Sequence, residues 1–508
     1  MVSWFENPLL AVAVLPLLGG LVLAVVPRGR SKAFERGALA VTLLDVLLCL
    51  PLWAGLDRTS AEPQWVTVLE WIPRFGVRFS VGADGISLLL VLLTTLLGCI
   101  AVGISPASLR ERHKEFYVWF LLLQSCMLGV FIAQDAFLFY VFWELMLVPM
   151  YCLIGIWGGP RRLYAAFKMF MYTLVGSKLL LLGLLAVYFL QFEATGRWDF
   201  SLASFHAMAG VIAEQSGDFQ TLLALAWFVA FAVKVPLLPL HTWLPDAHVE
   251  APVAGSVILA GVLLKMGTYG ILRFLIPICS AATLTLLPWF LGLAMAGVVY
   301  GALVAMIQKD LKALVAYSSI SHLGLCAAGL LALNPNGMAG GVLQMVNHGL
   351  TTSALFLLVG ALHDRRHTRL IAHFGGLARP MPVFATVFLI MVMGSIGLPG
   401  LNGFVGEFAI LVGVFQVHPW AGVVGVAGIV FGAAYLLWAT QRVLFGPVEG
   451  ANATLEDLTA RERVCFLPLL MAAFWIGFYP EPLLALIREP VQKVVNQVVS
   501  NPGTRSEK

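Results

Sequence analysis

Long apolar runs recur along this chain from Pro8 to residue 486, most of them about 20 residues long and divided by short polar turns. Twenty residues of helix rise about 30 Å, the thickness of a bilayer's hydrocarbon core. Hydrocarbon offers backbone groups no partner, so only helices or a closed barrel can cross it. A barrel strand needs about ten residues of alternating character, and these runs are apolar throughout. The chain therefore predicts an all-α polytopic membrane protein. Its composition agrees: of 508 residues 60% are hydrophobic and 11% charged, with a mean hydropathy of +0.90. A water-soluble globule with an ordinary polar surface is excluded.

About fourteen spans are predicted, near 8–26, 37–56, 84–105, 116–134, 136–157, 165–190, 219–243, 250–276, 282–306, 311–332, 339–362, 382–416, 420–445 and 464–486. The first has no basic flank and no clear cleavage site, so it reads as a span and not a signal peptide. An even count puts both termini on one side. With the N-terminus outside, the inner loops hold nineteen of the 31 lysines and arginines and the outer segments nine; Lys178, Lys234 and Lys265 remain within the membrane. That asymmetry supports the count and termini on the outer side.

Two outer segments are long. Residues 57–83 predict a β-hairpin, QWVTVLEW and GVRFSV around a turn at Ile72 to Phe75, lying over the bundle. The other is 191–218. The inner linker at 446–463 is polar and partly helical by pattern. A faint repeat appears on sliding the chain by about 176 residues, which sets FKMFMYTLVGS against LQMVNHGLTTS and matches Met169 to Met345 and Ser177 to Ser353. Spans four to eight and nine to thirteen would then be two five-helix units of opposite orientation, the inverted-repeat plan of many transporters. The implied organisation is 1–115 with the hairpin, 116–276 and 282–446 as the two units, and 447–508 as linker, last span and outer tail.

The stretch FAVKVPLLPLHTWLPDAHVEAP, residues 231–252, breaks the rules of a buried helix. It places Lys234 in an apolar run, where a lysine costs roughly 2.5 to 3.5 kcal/mol, and follows it with Pro236 and Pro239, which free backbone groups. Such a segment needs protein or water beside it. A second break, GSIGLPGLNGFVGEF, carries Glu407, and the two repeat units would each contain one discontinuous helix with one ionisable group. The registers differ, because Lys234 precedes its prolines and Glu407 follows Pro399. Glu144 lies in FLFYVFWELMLVP, and Lys265 occupies a separate span. A Glu144–Lys234 pair would exchange protonation states as its separation or hydration changes. His322 and His348 are mid-span and His241 lies in the first break; each is either a proton relay or a satisfied core histidine. Asp45 reads as paired with a neighbouring polar group.

The seven cysteines form no CxxC and read as packing residues, so iron–sulfur and zinc sites are not supported. Nothing resembles a P-loop, a dinucleotide fingerprint, a nucleophile–base set or a nucleic-acid surface. Proton transfer along a polar line in a membrane is the chemistry that remains.

FWELMLVPMY, the Lys234 stretch, VILAGVLLKMGTYGILR, QKDLKALVAYSSISHLG and GLPGLNGFVGEF together resemble the antiporter-like membrane-arm subunits of proton-pumping NADH:quinone oxidoreductase, respiratory complex I, along nearly the whole chain. The resemblance implies fourteen spans with inverted repeats. Sister L and N types typically carry a lysine where this chain has Glu407, so the similarity is to the M-type (chain 4) branch. It further implies that Glu144 modulates Lys234, that Lys265 and His322 join two half-channels, and that Glu407 faces an exit side or an L-type neighbour. Partners would be L-type and N-type membrane-arm subunits, the lipid bilayer, protons and water. This chain would bind no cofactor, with FMN, iron–sulfur clusters and quinone in partner subunits, and would reside in the inner (cytoplasmic) membrane. Lys178 stands where the family has an uncharged residue; it either snorkels to the interface or joins the polar axis. The alternative reading is a subunit of a multisubunit sodium/proton antiporter.

Overall fold

The structure is a computed structural model that describes residues 7–28, 31–105, 111–448 and 450–500. Arg30 and Arg110 of the predicted inner loops, and Arg505 and Lys508 of the tail, lie outside these residues.

The elements in chain order are α1 (Pro8–Val25), α2 (Ser31–Gly55), β1 (Gln64–Ile72), β2 (Val77–Ala83), α3 (Gly85–Ile104), α4 (His113–Ile132), α5 (Ala136–Trp157), α6 (Arg162–Thr195), α7 (Gly217–Lys234), α8 (Trp243–Glu250), α9 (Val253–Ile278), α10 (Ser280–Met306), α11 (Leu311–Leu331), α12 (Pro335–Arg366), α13 (Pro382–Ser395), α14 (Asn402–Val417), α15 (Pro419–Leu444), α16 (Ala460–Phe478) and α17 (Glu481–Ser500). Twelve described helices are long and apolar enough to cross a membrane, and α16, bent by 71° from α17, makes thirteen. Asn7 donates to Trp65 and Thr67 of the hairpin and Lys493 of α17 pairs with Glu62 at its base, so both described ends lie at the hairpin end. That requires an even number of crossings, and the broken pair α13–α14 supplies the remaining one.

Two predicted spans are interrupted where the sequence places its breaks, and the end of a third is corrected. The span 219–243 stops as helix at Lys234, because Pro236 and Pro239 lack the N–H groups that would continue it. The span 382–416 is two short helices parted by residues 396–401. The span 464–486 ends at Phe478, and beyond the bend the last part of the predicted span and the outer tail that follows it form the helix α17. Leu483, Leu486, Ile487, Val491, Val494 and Val498 lie buried on one face of α17, the spacing of an amphipathic helix laid on the bundle. The hairpin forms where the alternating pattern places it, β1 antiparallel to β2.

Loops segregate into two ends. At the hairpin end Asp135, the N-cap of α5, accepts from Phe137 and Leu138 N–H and from Arg78 N–H on β2, at 2.9 to 3.0 Å. At the opposite, basic end Arg461 pairs with Glu35 at 2.7 Å, Arg365 with Glu462 at 2.7 Å and Arg369 with Asp310 at 3.1 Å. The most apolar windows of α9 and α12 are 100% buried, against 28% for α2 and 39% for α15. Lys265 on α9 and His348 on α12 are therefore buried within protein.

Candidate functional site

α9 and α12 cross where both lack side chains: a Cβ on Gly349 would sit 3.0 Å from the Gly261 carbonyl. Small residues allow such close backbone approach in membranes. The approach brings Lys265 of α9 onto His348 of α12. Lys265 is fully buried and lies between two π-helical stretches, Leu259–Leu263 and Ile271–Leu275, a device common at functional sites. Its Nζ donates to the Ala260 carbonyl and, at 2.7 Å, meets His348 Nδ1. An ammonium only donates, so Nδ1 accepts and the proton of a neutral His348 resides on Nε2. That Nε2 is buried without a protein partner, as is Nε2 of His322.

His322, on α11, has its ring centroid 5.9 Å from that of His348 and its Nδ1 3.3 Å from Glu407 Oε1. Gln344 donates to the same carboxylate oxygen at 3.1 Å. Glu407 rides on the second turn of α14, just after the break, where Asn347 and Asn402 exchange side-chain to backbone hydrogen bonds at 2.7 and 3.3 Å. Within the break Gly397 has φ +73°, and a Cβ there would fall 2.4 Å from Glu407 Oε2. The carboxylate is cradled against bare backbone. A cavity of about 10 Å³ touches His322, Ser321, Ser395 and Glu407, the room one water needs.

The first break ends α7 at Lys234, whose Nζ is buried without a hydrogen-bond partner and stands 5.1 Å over the Trp143 ring. Trp243 Nε1 satisfies the freed Val233 carbonyl at 2.9 Å. A Cβ on Gly267 would lie 2.9 Å from the Phe231 carbonyl, so the last turn of α7 rests on the segment that carries Lys265. The expected Glu144–Lys234 pair is corrected. Glu144 Oε1 is bound by Lys178 at 2.9 Å, Tyr140 at 2.5 Å and Ser177 at 2.6 Å, because the Trp143 indole occupies the side next to Lys234. Lys178 thus pairs with Glu144, with a side chain 53% exposed.

His241 is buried in the first break but faces Tyr300, ring centroids 4.9 Å apart; no hydrogen bond among the described residues joins it to Lys234 or Lys265. Gln124 donates to Asp45 at 2.7 Å, the predicted neighbour pairing. Sequence reasoning missed several groups. The α12 stripe Gln344, Asn347, His348 and Thr351, spaced three and four apart, was the available signal for the Glu407 cradle. His248, fully buried and stacked on Phe356 at 4.4 Å, has both ring nitrogens unpartnered. Arg273, near the end of the predicted span 250–276, is in α9 and ion-paired to Asp84. Outside the spans, burial pushes the Asp135 carboxyl up to about 6, against three backbone donors, and holds the His206 imidazole down at about 4. Among the described residues no group of three or more His, Cys, Asp or Glu is placed to hold a metal ion.

A family model described as NADH:quinone oxidoreductase/Mrp antiporter, TM, matches residues 133–432. The NADH-quinone oxidoreductase subunit M of Rhodobacter capsulatus is 44% identical over 510 residues, covering 98% of each chain. NADH-ubiquinone oxidoreductase chain 4 of Marchantia polymorpha is 41% identical, covering 97% of each. A chain of respiratory complex I from Thermus thermophilus with bound NADH superposes at TM-score 0.85 and 30% identity, over 96% of this chain and 99% of that one. A chain of the Mrp complex from Dietzia sp. DQ12-45-1b reaches TM-score 0.83 at 21% identity, over 98% and 100%, a likeness of fold alone.

Proposed function

The chain belongs to the NADH:quinone oxidoreductase/Mrp antiporter transmembrane family, and from that membership we propose that it works as the M-type membrane-arm subunit of NADH:quinone oxidoreductase, driving protons through its buried line of ionisable side chains. The enzyme is an oxidoreductase and translocase, and this subunit is a multi-pass membrane component of it. FMN, iron–sulfur clusters and quinone belong to partner subunits, and L-type and N-type subunits are its neighbours.

The carrying observation is the line itself: Lys265 and His348 at 2.7 Å, His348 and His322 with rings 5.9 Å apart, His322 and Glu407 at 3.3 Å. Each member either donates or accepts a proton at the atom facing the next. The two unpartnered Nε2 atoms of His348 and His322 suit a bridging water. Lys234, with no hydrogen bond of its own, gains a proton when Glu144 lies near and unshielded, and gives it up when Lys178 neutralises Glu144. Charge moved across the membrane works against about 2.3 kcal/mol per 100 mV, a scale that repairing one buried charge can supply. His241, at the basic end of the break, acts on the approach to this line rather than within it.

The two five-helix units, 116–276 and 282–446, are inverted copies, each with one broken helix. This is supported by the breaks after Lys234 and before Glu407 and by the two long helices α6 and α12. The hairpin end, where both described ends lie, faces outward, because lysine and arginine concentrate in the loops of the other end.

Glu144→Gln in the assembled enzyme tests the reading. NADH-driven quinone reduction and proton translocation both fall at equal complex content; wild-type rate and proton-to-electron ratio would overturn it.

A further inference from the structure

Three donors converge on one oxygen of Glu144. Lys178 Nζ, Tyr140 OH and Ser177 Oγ stand 2.9, 2.5 and 2.6 Å from Oε1, and among the described residues no hydrogen bond reaches Oε2. Their directions follow from chemistry. An ammonium only donates, and Lys178 Nζ also reaches Tyr140 OH at 3.1 Å. The phenol oxygen therefore accepts from the lysine, and its single proton goes to Glu144. Ser177 likewise has one hydroxyl proton, but two acceptors: Glu144 Oε1 and, at 2.8 Å, the Leu174 carbonyl three residues back on α6. Such a back-bond is an ordinary alternative for a serine in a helix. The Ser177 proton thus has two stations, and it changes between them by rotation about one bond with no heavy atom moving.

The three donors differ in how they are held. Tyr140 and Ser177 are 8% and 1% exposed, whereas the Lys178 side chain is 53% exposed. Packing fixes the two hydroxyls, and the lysine alone is free to leave. Once it does, Glu144 is a carboxylate within a spanning helix. Among the described residues Lys234 of α7, which lies over the Trp143 ring, is the charged group that still faces it. A carboxylate stranded in such surroundings neutralises itself by taking a proton. A neutral acid has no charge with which to draw a proton onto Lys234.

We propose that Tyr140 and Ser177 are positioning residues whose hydroxyls keep Glu144 ionised while Lys178 is withdrawn, so that the carboxylate charge acts on Lys234. With Lys178 in place, the ammonium and the phenol serve Oε1, and the Ser177 proton rests on the Leu174 carbonyl. As the lysine withdraws, the Ser177 hydroxyl turns onto Oε1. Two buried hydroxyls then favour the charged form, as hydrogen bonds to a carboxylate do. Neither hydroxyl ionises, and no proton passes through them. The assignment rests on Glu144 acting on Lys234 in proton transfer.

The test uses the whole enzyme in sealed vesicles, with NADH-driven proton translocation followed against pH at equal complex content. Tyr140→Phe and Ser177→Ala each remove one hydroxyl and little else. Without a donor to its ionised form Glu144 takes a proton at higher pH, so the acid-side fall in translocation moves up by about one pH unit for each hydroxyl removed. In the double variant translocation drops severalfold near neutrality and returns toward wild type on the alkaline side. Ser177→Thr, which keeps a hydroxyl, retains the wild-type profile. A fall of equal proportion at every pH is the mark of a packing defect and overturns the proposal, as does a wild-type profile in both single variants. The single variants carry the test where the double variant assembles poorly. Glu144→Gln separates the two readings: normal pumping by that enzyme fails the role of Glu144 itself, whereas an inactive Glu144→Gln enzyme beside wild-type profiles in Tyr140→Phe and Ser177→Ala fails only the hydroxyl pair.

Discussion

Replacing His348 by leucine, asparagine and glutamine in turn dissects the centre of the proton line. The imidazole offers Nδ1 to Lys265 at 2.7 Å and turns its other edge toward His322, ring centroids 5.9 Å apart. Leucine removes both functions. A hydrogen bond to a charged group contributes about 1.5–3 kcal/mol, and each 1.36 kcal/mol on a barrier is tenfold in rate, so proton transfer through Lys265 slows by roughly 10- to 150-fold. Asparagine sets an amide oxygen near the position of Nδ1 and keeps the Lys265 contact, but loses the edge toward His322. Glutamine reaches the far position and loses the near one. Each amide variant is expected between wild type and leucine, because each retains one of two contacts. Both quantities are read in vesicles: NADH-driven quinone reduction, and proton uptake by quenching of a pH-sensitive dye, normalised to complex content. A His348→Leu enzyme with wild-type rate and proton-to-electron ratio would refute a route through this histidine.

Lys178→Met leaves Glu144 without its ion pair. Because the lysine is half exposed, the loss in stability stays below about 1 kcal/mol, yet turnover falls severalfold and Lys178→Arg recovers it; an unchanged rate would reduce Lys178 to an interfacial anchor. Gly397→Ala pushes a methyl into the Glu407 carboxylate at a left-handed backbone position, costing about 1–2 kcal/mol for the conformation and displacing the carboxylate from His322, so pumping drops with assembly intact. Normal pumping would show that the cradle is dispensable. His206 is held near 4, below the ordinary 6.5. Between those values the unfolded chain binds the extra proton, so its contribution is fully present above pH 6.5 and is lost as pH falls toward 4, by at most about 3 kcal/mol. Thermal denaturation of the purified complex is expected to show this acid-side loss in wild type and a smaller one in His206→Gln, and equal pH slopes would discard the assignment.

Apolarity made the spans legible, because hydrocarbon tolerates few alternatives to a long helix. The hairpin was legible too, since QWVTVLEW and GVRFSV alternate and PRFG between them turns the chain. Lys234, Lys265, His322, His348 and Glu407 announced themselves by being polar where polarity is expensive. What composition could not carry was azimuth. Whether Glu144 meets Lys178 or Lys234 depends on how α5 rotates against α6 and α7, and the bulk of Trp143 settles that only in three dimensions. The end of the last span was misjudged for a related reason. Apolar residues run on past Phe478, and a hydropathy reading does not see the 71° bend, although the three- and four-residue spacing of Leu483, Leu486, Ile487, Val491 and Val494 was there to be read. Asp84 and Arg273 were hidden by distance in the chain, 189 residues apart.

The π-helical stretches on either side of Lys265 hold a consequence for motion. Each stores one residue more than an α-helix of the same rise would. If the surplus residue passes from one flank to the other, the α-helical segment between them screws forward by one position, about 100° in azimuth and 1.5 Å along the axis. The ends of α9 stay where they are and the number of backbone hydrogen bonds is conserved. A side chain mounted on such a segment is a key between two slack links of a chain. It can be turned from the His348 side toward another wall of the bundle while both ends of α9 keep their places, the side chains packed against it shifting to admit the turn.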